Sequence, residues 1–259
     1  MTPNALTVPR FWDKTSSISR KSYPTPWLCR IDYEKMKLFH PFLESKKGQR
    51  LIELGCGDSY WLAYFAKIYG YQISGIDFSE ARLKSSGDKL ISRGVNYDFI
   101  CDDFTNIPDM WVGKFDIVYS NGVLEHFSSP SDIANVFARY LKPDGLMITT
   151  VPHLQGFWGK LGERLSKEVD SGYVRMGLKD VIEAHQQAGL KVVFASYFRW
   201  ADCSVLNYES LPTVLTKFIY GVVSLGDVVA NACLMVYRPK WLFDKWPGLY
   251  SDMVVVARL

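Results

Sequence analysis

The sequence predicts an α/β fold, a doubly wound and mostly parallel sheet, and three observations predict it. Between Arg50 and Val151 short apolar runs alternate with stretches of helical periodicity. Apolar runs separated by whole helices have to lie parallel, because a tight turn can only reverse the chain. The first run ends in Gly55-Cys56-Gly57, where a strand can hand over to a helix whose free N–H groups face a ligand. The chain has 259 residues, 48% of them hydrophobic and 22% charged, enough for a full core and incompatible with wholesale disorder or a coiled coil. Thirty Lys plus Arg against 27 Asp plus Glu leave a net charge of +3, too small a surplus to argue for a nucleic-acid partner.

The elements follow in order. Residues 1–47 mix aromatic and basic side chains (Phe11, Trp12, Tyr23, Trp27, Lys21, Arg30) with Pro24 and Pro26, and read as an N-terminal arm or lid with a short helix at Tyr33 to Leu43. From 48 to 259 the α/β domain follows. Strands are predicted at 50–54, 71–77, 97–101, 115–119 and 145–151, and helices near 59–69, 79–92 and 131–141. Ser79 stands where an N-cap opens the second of these helices, and Pro143-Asp144-Gly145 closes the third and turns into a strand. After Pro152 come a loop rich in Gly and His, a helix near 178–188 ended by Gly189, a strand at 190–199 and an apolar helical insertion within about 200–247. Met253 to Ala257 reads as a last strand that inserts beside an existing one.

Four predicted strand ends carry chemistry. Gly55 and Gly57 let the backbone turn tightly and approach a ligand closely, but the dinucleotide fingerprint would need glycine at position 60, where Tyr60 stands. That argues against NAD. Asp77 ends the second strand, where a carboxylate can accept from both hydroxyls of a ribose; the alternative is a plain helix cap shared with Ser79. The third strand ends in Cys101-Asp102-Asp103-Phe104 with Ile107-Pro108 beyond, and an acid here can accept from the adenine amino group while the next backbone N–H donates to the ring. The fourth leads into Asn121-Gly122-Val123-Leu124-Glu125-His126.

In this order the four ends resemble the class I S-adenosylmethionine-dependent methyltransferases, within them the small-molecule branch (type 11) that includes quinone-biosynthesis enzymes. The resemblance covers about residues 50–152. Glu53-Leu54-Gly55-Cys56-Gly57 is similar to the family's first motif, whose loop embraces the methionine part of the cofactor. It implies a seven-stranded sheet with an antiparallel last strand, S-adenosyl-L-methionine as cofactor, and a cofactor site of Glu53, Gly55, Cys56, Gly57, Asp77, Phe78, Asp102, Asp103, Phe104 and Asn121. By its distance from Pro108, Asp103 rather than Asp102 aligns with the acid that reads adenine. Val123 to His126 is similar to the motif after the fourth strand, and Leu141-Lys142-Pro143-Asp144-Gly145 to the turn into the fifth. Ser59 departs from the third glycine of the loop. In one quinone-methylating group an acid four residues before the His joins a divalent-metal site; here that position is Gly122, so no metal is expected.

The implied activity is methyl transfer to a small or lipid-like acceptor at a hydroxyl oxygen, with N- or C-methylation on the same scaffold, or a non-catalytic binding module, as alternatives. His126 is the candidate catalytic base; the other reading makes Glu125 and His126 a brace for the loop. His153 is a weaker candidate at the same edge, and His40 and His185 read as structural or solvated. The arm's aromatics suit a lid that also packs on the sheet, and Arg30 suits the cofactor carboxylate.

Residues 209–247 set Leu215, Phe218, Val222, Leu225 and Val229 on one helical face, followed by Arg238, Lys240, Trp241, Lys245 and Trp246. They read as a cap over the acceptor pocket, a homodimer face or a peripheral membrane contact. Lys217 and Asp227 interrupt the apolar stretch, so it does not read as a membrane span. The cysteines (29, 56, 101, 203 and 233) form no CxxC pair, which suits free thiols in a reducing compartment and argues against structural zinc. With no apolar signal segment in Met1 to Arg10, the expected location is cytoplasmic.

Overall fold

The computed structural model of the chain describes residues 5–6, 23–25, 30–43, 48–165, 172–200, 248 and 250–259. Seven strands form one sheet: β1 (Arg50–Leu54), β2 (Gln72–Asp77), β3 (Tyr97–Cys101), β4 (Phe115–Asn121), β5 (Leu141–Pro152), β6 (Lys191–Trp200) and β7 (Tyr250–Arg258). Their order is β3-β2-β1-β4-β5-β7-β6. The first five run parallel, while β7 is antiparallel to both β5 and β6. The chain therefore reverses its direction of winding between β1 and β4, and the carboxyl ends of both strands open onto that switch point, where a doubly wound sheet offers a crevice.

Alternation along each strand builds two cores. Leu51, Ile73, Ile117, Tyr119, Val254 and Val256 face one layer, with Phe39, Trp61 and Phe65 packed on it. Ile52, Leu54, Ile76, Val118, Met147 and Val255 face the other, against Phe137 and Val181. Both faces are covered, which explains why the strands read as continuous apolar runs. The helices are α1 (Arg30–Phe39), α2 (Trp61–Tyr64), α3 (Glu80–Ile91), α4 (Pro130–Ala138), α5 (Phe157–Leu165) and α6 (Leu178–Gln187).

Several expectations need correction. The helix anticipated at 33–43 runs from Arg30 to Phe39. The one at 59–69 is a single α-turn that widens into a π-helix over Phe65–Tyr69, and Gly70 at φ 74° ends it. Ser79 sits at the N-cap position of α3 without a side-chain capping bond; Asp77 takes the Ser79 N–H instead. The stretch after Pro152 contains α5 rather than a loop. Its glycines suggested loop, yet a Cβ at Gly159 would lie 2.2 Å from the Leu154 carbonyl oxygen, so glycine there permits close packing. The turn at Pro143-Asp144-Gly145 is real: Leu141 pairs with Phe115 and Leu146 with Ile117, so the intervening residues bulge from the ladder, with Asp144 at φ 62°. Phe11, Trp12 and Trp27 of the lid, the Arg30 side chain and the whole of 209–247 lie outside the described residues. Among the described residues no helix is long and apolar enough to cross a membrane.

Candidate active site

The turn after β1 depends on two left-handed glycines, Gly55 at φ 69° and Gly57 at φ 44°. At Gly55 space also forbids a side chain, since a Cβ would lie 2.6 Å from a Val123 methyl carbon. The next backbone donor is captured from the neighbouring strand end: Gly57 N–H donates to Asp77 Oδ2 at 2.8 Å, and Ser79 N–H donates to Asp77 Oδ1 at 2.9 Å. Burial raises the Asp77 pKa above the usual carboxylate value, although both N–H bonds pull the other way. From behind, α3 braces the loop. The Lys89 ammonium donates to the Asp58 carbonyl and lies 3.5 Å from the Asp58 carboxylate, and Ser86 Oγ donates to the Ser59 carbonyl at 3.0 Å.

Glu53 closes the floor of this loop. It is 3% exposed, burial pushes its pKa up to about 8 against a pull from the Ser59 hydroxyl, and its Oε2 has no hydrogen-bond partner among the described residues. A buried carboxyl oxygen left unpaired costs stability unless a ligand completes it. An acceptor oxygen beneath a glycine turn, with an acid at the next strand end, fits the ammonium and ribose of S-adenosylmethionine.

The remaining predicted residues spread along the same edge. Cys56 is 3% exposed, and a Cβ at Gly75 would lie 2.8 Å from its sulfur, so only its backbone is available to a ligand. Phe78 is 38% exposed just beyond Asp77, free to offer a ring face. Asp103 Oδ1 accepts from Thr105 N–H and Oγ1 at 2.9 and 2.8 Å, and the exposed Asp102 accepts from Asp103 N–H and Asn106 Nδ2. Both acids therefore shape their own turn. Phe104 buries its ring between Phe127 and Phe137. Asn121 ends β4, two residues beyond the predicted strand, and its Oδ1 accepts from Thr150 Oγ1 at 2.7 Å and from Lys35 Nζ at 2.5 Å.

His126 closes a 3₁₀ turn after β4. Its Nδ1 lies 3.0 Å from the Gly172 carbonyl, and a carbonyl can only accept, so Nδ1 carries the proton and Nε2 carries the lone pair. Burial lowers its pKa to about 4, with the Gly172 bond opposing. Glu125 Oε1 is 3.8 Å from Nε2, and burial pushes the Glu125 carboxyl up to about 8. Residues 172–174 clamp the pair: Val174 N–H donates to the Glu125 carbonyl at 2.6 Å, and the Tyr173 ring sits 4.6 Å from the imidazole. From the other side Leu6 N–H donates to the His126 carbonyl at 2.8 Å. His153 donates from Nδ1 to the Tyr250 carbonyl at 3.1 Å. His185 is held between the Val181 carbonyl and Thr149 Oγ1, a structural role. His40 is exposed, its Nδ1 3.2 Å from the Tyr69 hydroxyl.

Sequence reasoning missed Lys35, Asp32 and Tyr173. Asp32, Lys35 and Phe39 are 0%, 4% and 0% exposed, a spacing of three and four that marks one helix face. Two charges on the face that carries Phe39 were the available signal.

A family model described as a methyltransferase domain matches residues 29–194, well over half of the chain. A ubiquinone biosynthesis O-methyltransferase of Idiomarina loihiensis is 30% identical over 233 residues, covering 89% of each protein. Phosphoethanolamine N-methyltransferase 1 of Triticum aestivum is 28% identical over 116 residues, 45% of this chain and 23% of that one. Against the first of its curated relatives the chain spans about half of their length or less. Among solved structures, the [4+2]-cyclase SpnF superposes with a TM-score of 0.58 at 20% identity, covering 86% of this chain and 79% of that one. At that identity the likeness concerns the fold.

Proposed function

The chain belongs to the methyltransferase-domain family, whose methyl donor is S-adenosylmethionine, and from that premise we propose that it methylates a small-molecule or lipid-like acceptor at a hydroxyl oxygen. The observation that carries the oxygen assignment is the His126 tautomer. With Nδ1 committed to the Gly172 carbonyl and the ring held neutral by burial, Nε2 is a standing proton acceptor at the carboxyl end of β4.

When bound, the donor supplies an activated methyl group on a cationic sulfur and departs as a neutral thioether. The chain's part is binding, alignment and proton transfer. Gly55 and Gly57 keep the floor open, Glu53 and Asp77 offer acceptor oxygens to the ammonium and the ribose, and Asp103 with the Phe104 backbone reads the adenine edge. His126 Nε2 takes the proton from the acceptor hydroxyl as that oxygen gains its methyl group. Glu125 Oε1 lies 3.8 Å away; its raised carboxyl holds a proton at rest, and the positive charge formed on the imidazole favours its ionised form, while the Tyr173 ring packs beside the imidazole. The second reading, N-methylation, is favoured by the similarity to the wheat enzyme and needs no such base for an amine already neutral.

The test is a panel of phenols, catechols and amines offered with methyl-labelled donor. The expected result is labelled ether product from hydroxylated acceptors. Label on nitrogen alone would replace this reading with the second, and tight donor binding without any product would favour a binding module.

A further inference from the structure

The place of His126 and the polarity of its ring are set by different parts of the chain. Its N–H donates to the Val123 carbonyl at 3.0 Å, closing the 3₁₀ turn, and its carbonyl accepts from Leu6 N–H at 2.8 Å. Beside that contact Ala5 and Phe127 pair as an antiparallel bridge. These contacts grip the backbone. The ring answers to residues 172–174. The Gly172 carbonyl lies 3.0 Å from Nδ1, the Tyr173 ring packs 4.6 Å from the imidazole, and Val174 N–H donates to the Glu125 carbonyl at 2.6 Å. The segment thus straddles the Glu125-His126 dipeptide, seated on the backbone of one residue and the side chain of the other. Just beyond, it is tethered: Arg175 Nη2 lies 2.9 Å from Glu163 of α5, and Gln155 Nε2 donates to the Arg175 carbonyl and to Asp180 Oδ2, both at 3.0 Å. Met176, 2% exposed, belongs to the core. A tethered carbonyl is a fixed acceptor.

A neutral histidine free in water keeps its proton mainly on Nε2, so an acceptor at Nδ1 has to reverse that preference. At 3.8 Å Glu125 Oε1 is too far from Nε2 to draw the proton back. We propose that residues 172–174 position the proton acceptor of the reaction: the Gly172 carbonyl, held in place by Tyr173 and by the Val174 N–H, keeps the His126 proton on Nδ1 and leaves the lone pair on Nε2. Its weight in catalysis rests on the reading of His126 as the base. Gly172 and Tyr173 are positioning residues that act through the imidazole. Without them His126 keeps its place in the turn but presents an N–H at Nε2, and a nitrogen that already carries a proton cannot take one from a hydroxyl.

The experiment reads the imidazole nitrogens of the full chain, labelled with ¹⁵N-histidine, by NMR at neutral pH; His126→Asn identifies the His126 pair among the four histidines. Wild type is expected to carry the proton on Nδ1, with Nε2 bare. Two variants loosen the segment: Val174→Pro deletes the N–H that ties it to Glu125, and Tyr173→Ala removes the ring beside the imidazole. Each is expected to move the proton toward Nε2 and to lower kcat on hydroxylated acceptors by about tenfold, the scale on which one hydrogen bond favours a tautomer. Tyr173→Phe, which retains the ring, keeps the proton on Nδ1. A movement in either folded variant bears the proposal out. A wild-type proton on Nε2 overturns it whatever the variants do, and so does a proton that stays on Nδ1 in both Val174→Pro and Tyr173→Ala. A proton that moves while turnover holds at the wild-type level bears out the positioning and sinks the base reading, so the two fail separately.

Discussion

Asp77 Oδ2 accepts the Gly57 N–H at 2.8 Å across 20 residues of sequence, so one carboxylate fixes the turn after β1 relative to the turn after β2. Its other oxygen fixes the entry to α3 through Ser79. Asp77 is thus a capping acid for α3, and the ribose role that the motif assigns would fall to the same carboxylate. Each oxygen keeps a further lone pair for a hydroxyl.

Asp77→Ala is expected to weaken S-adenosylhomocysteine binding roughly ten- to hundredfold, the range for lost hydrogen bonds to a charged group. Calorimetric titration checks this. Affinity equal to wild type would contradict the ribose role and leave only the cap.

His126→Asn is expected to lower turnover with little change in donor affinity, since the ring touches Gly172, Tyr173 and Glu125 rather than the glycine turn. Because burial holds the imidazole pKa down to about 4, the base stays neutral well below the ordinary histidine value. Wild-type kcat/KM should therefore hold through pH 6.5 and fall only on approach to pH 4. A limb centred near 6.5, or an Asn variant as active as wild type, would make His126 a brace.

The sheet was legible in the sequence because strands buried on both faces leave uninterrupted apolar runs such as Leu51-Ile52 and Val254-Val255-Val256, and because glycine and proline punctuate them. Gly55, Gly57, Asp77 and His126 were legible for a related reason: each lies within a few residues of a strand end. Lys35 and Tyr173 reach the site from segments outside the strand–helix alternation, and no local pattern ties a lysine on α1 to an asparagine 86 residues later. α5 was missed because Gly159 serves packing, and local propensity reads such a glycine as loop. Asp102 and Asp103 were left ambiguous by sequence, and the turn uses both.

Gly55→Ala is expected to destabilise the fold by about 1–3 kcal/mol, combining a left-handed backbone with an overpacked contact. The new methyl would meet Val123 at 2.6 Å. Val123→Ala should recover part of the loss, because one of the two costs is that contact. Chemical denaturation of the single and double variants measures it, and additive effects would place the whole cost in the backbone.

Glu53 and Glu125, two of the buried glutamates, set the alkaline side of stability. Burial pushes Glu53 and Glu125 up to about 8 from the ordinary 4.5, so between those values the folded state holds protons that the unfolded chain has released. Their stabilising contribution is complete below the unfolded value and is lost as pH rises through about 8. His126 and His185, lowered to about 4, act in the other sense: their contribution is present above the unfolded value of 6.5 and is lost as pH falls toward 4. The two effects oppose each other between 4.5 and 6.5, and above 6.5 only the glutamates remain of these four. Denaturation midpoints should therefore decline from pH 6.5 to 8, and Glu53→Gln should make that decline shallower. Binding connects to the same proton. A ligand ammonium at Glu53 Oε2 favours the ionised carboxylate, so S-adenosylhomocysteine should expel a proton at pH 7, and its apparent binding enthalpy should differ between buffers of unlike ionisation enthalpy. The difference should shrink in Glu53→Gln. Equal enthalpies in both buffers for wild type would show that the ammonium binds elsewhere.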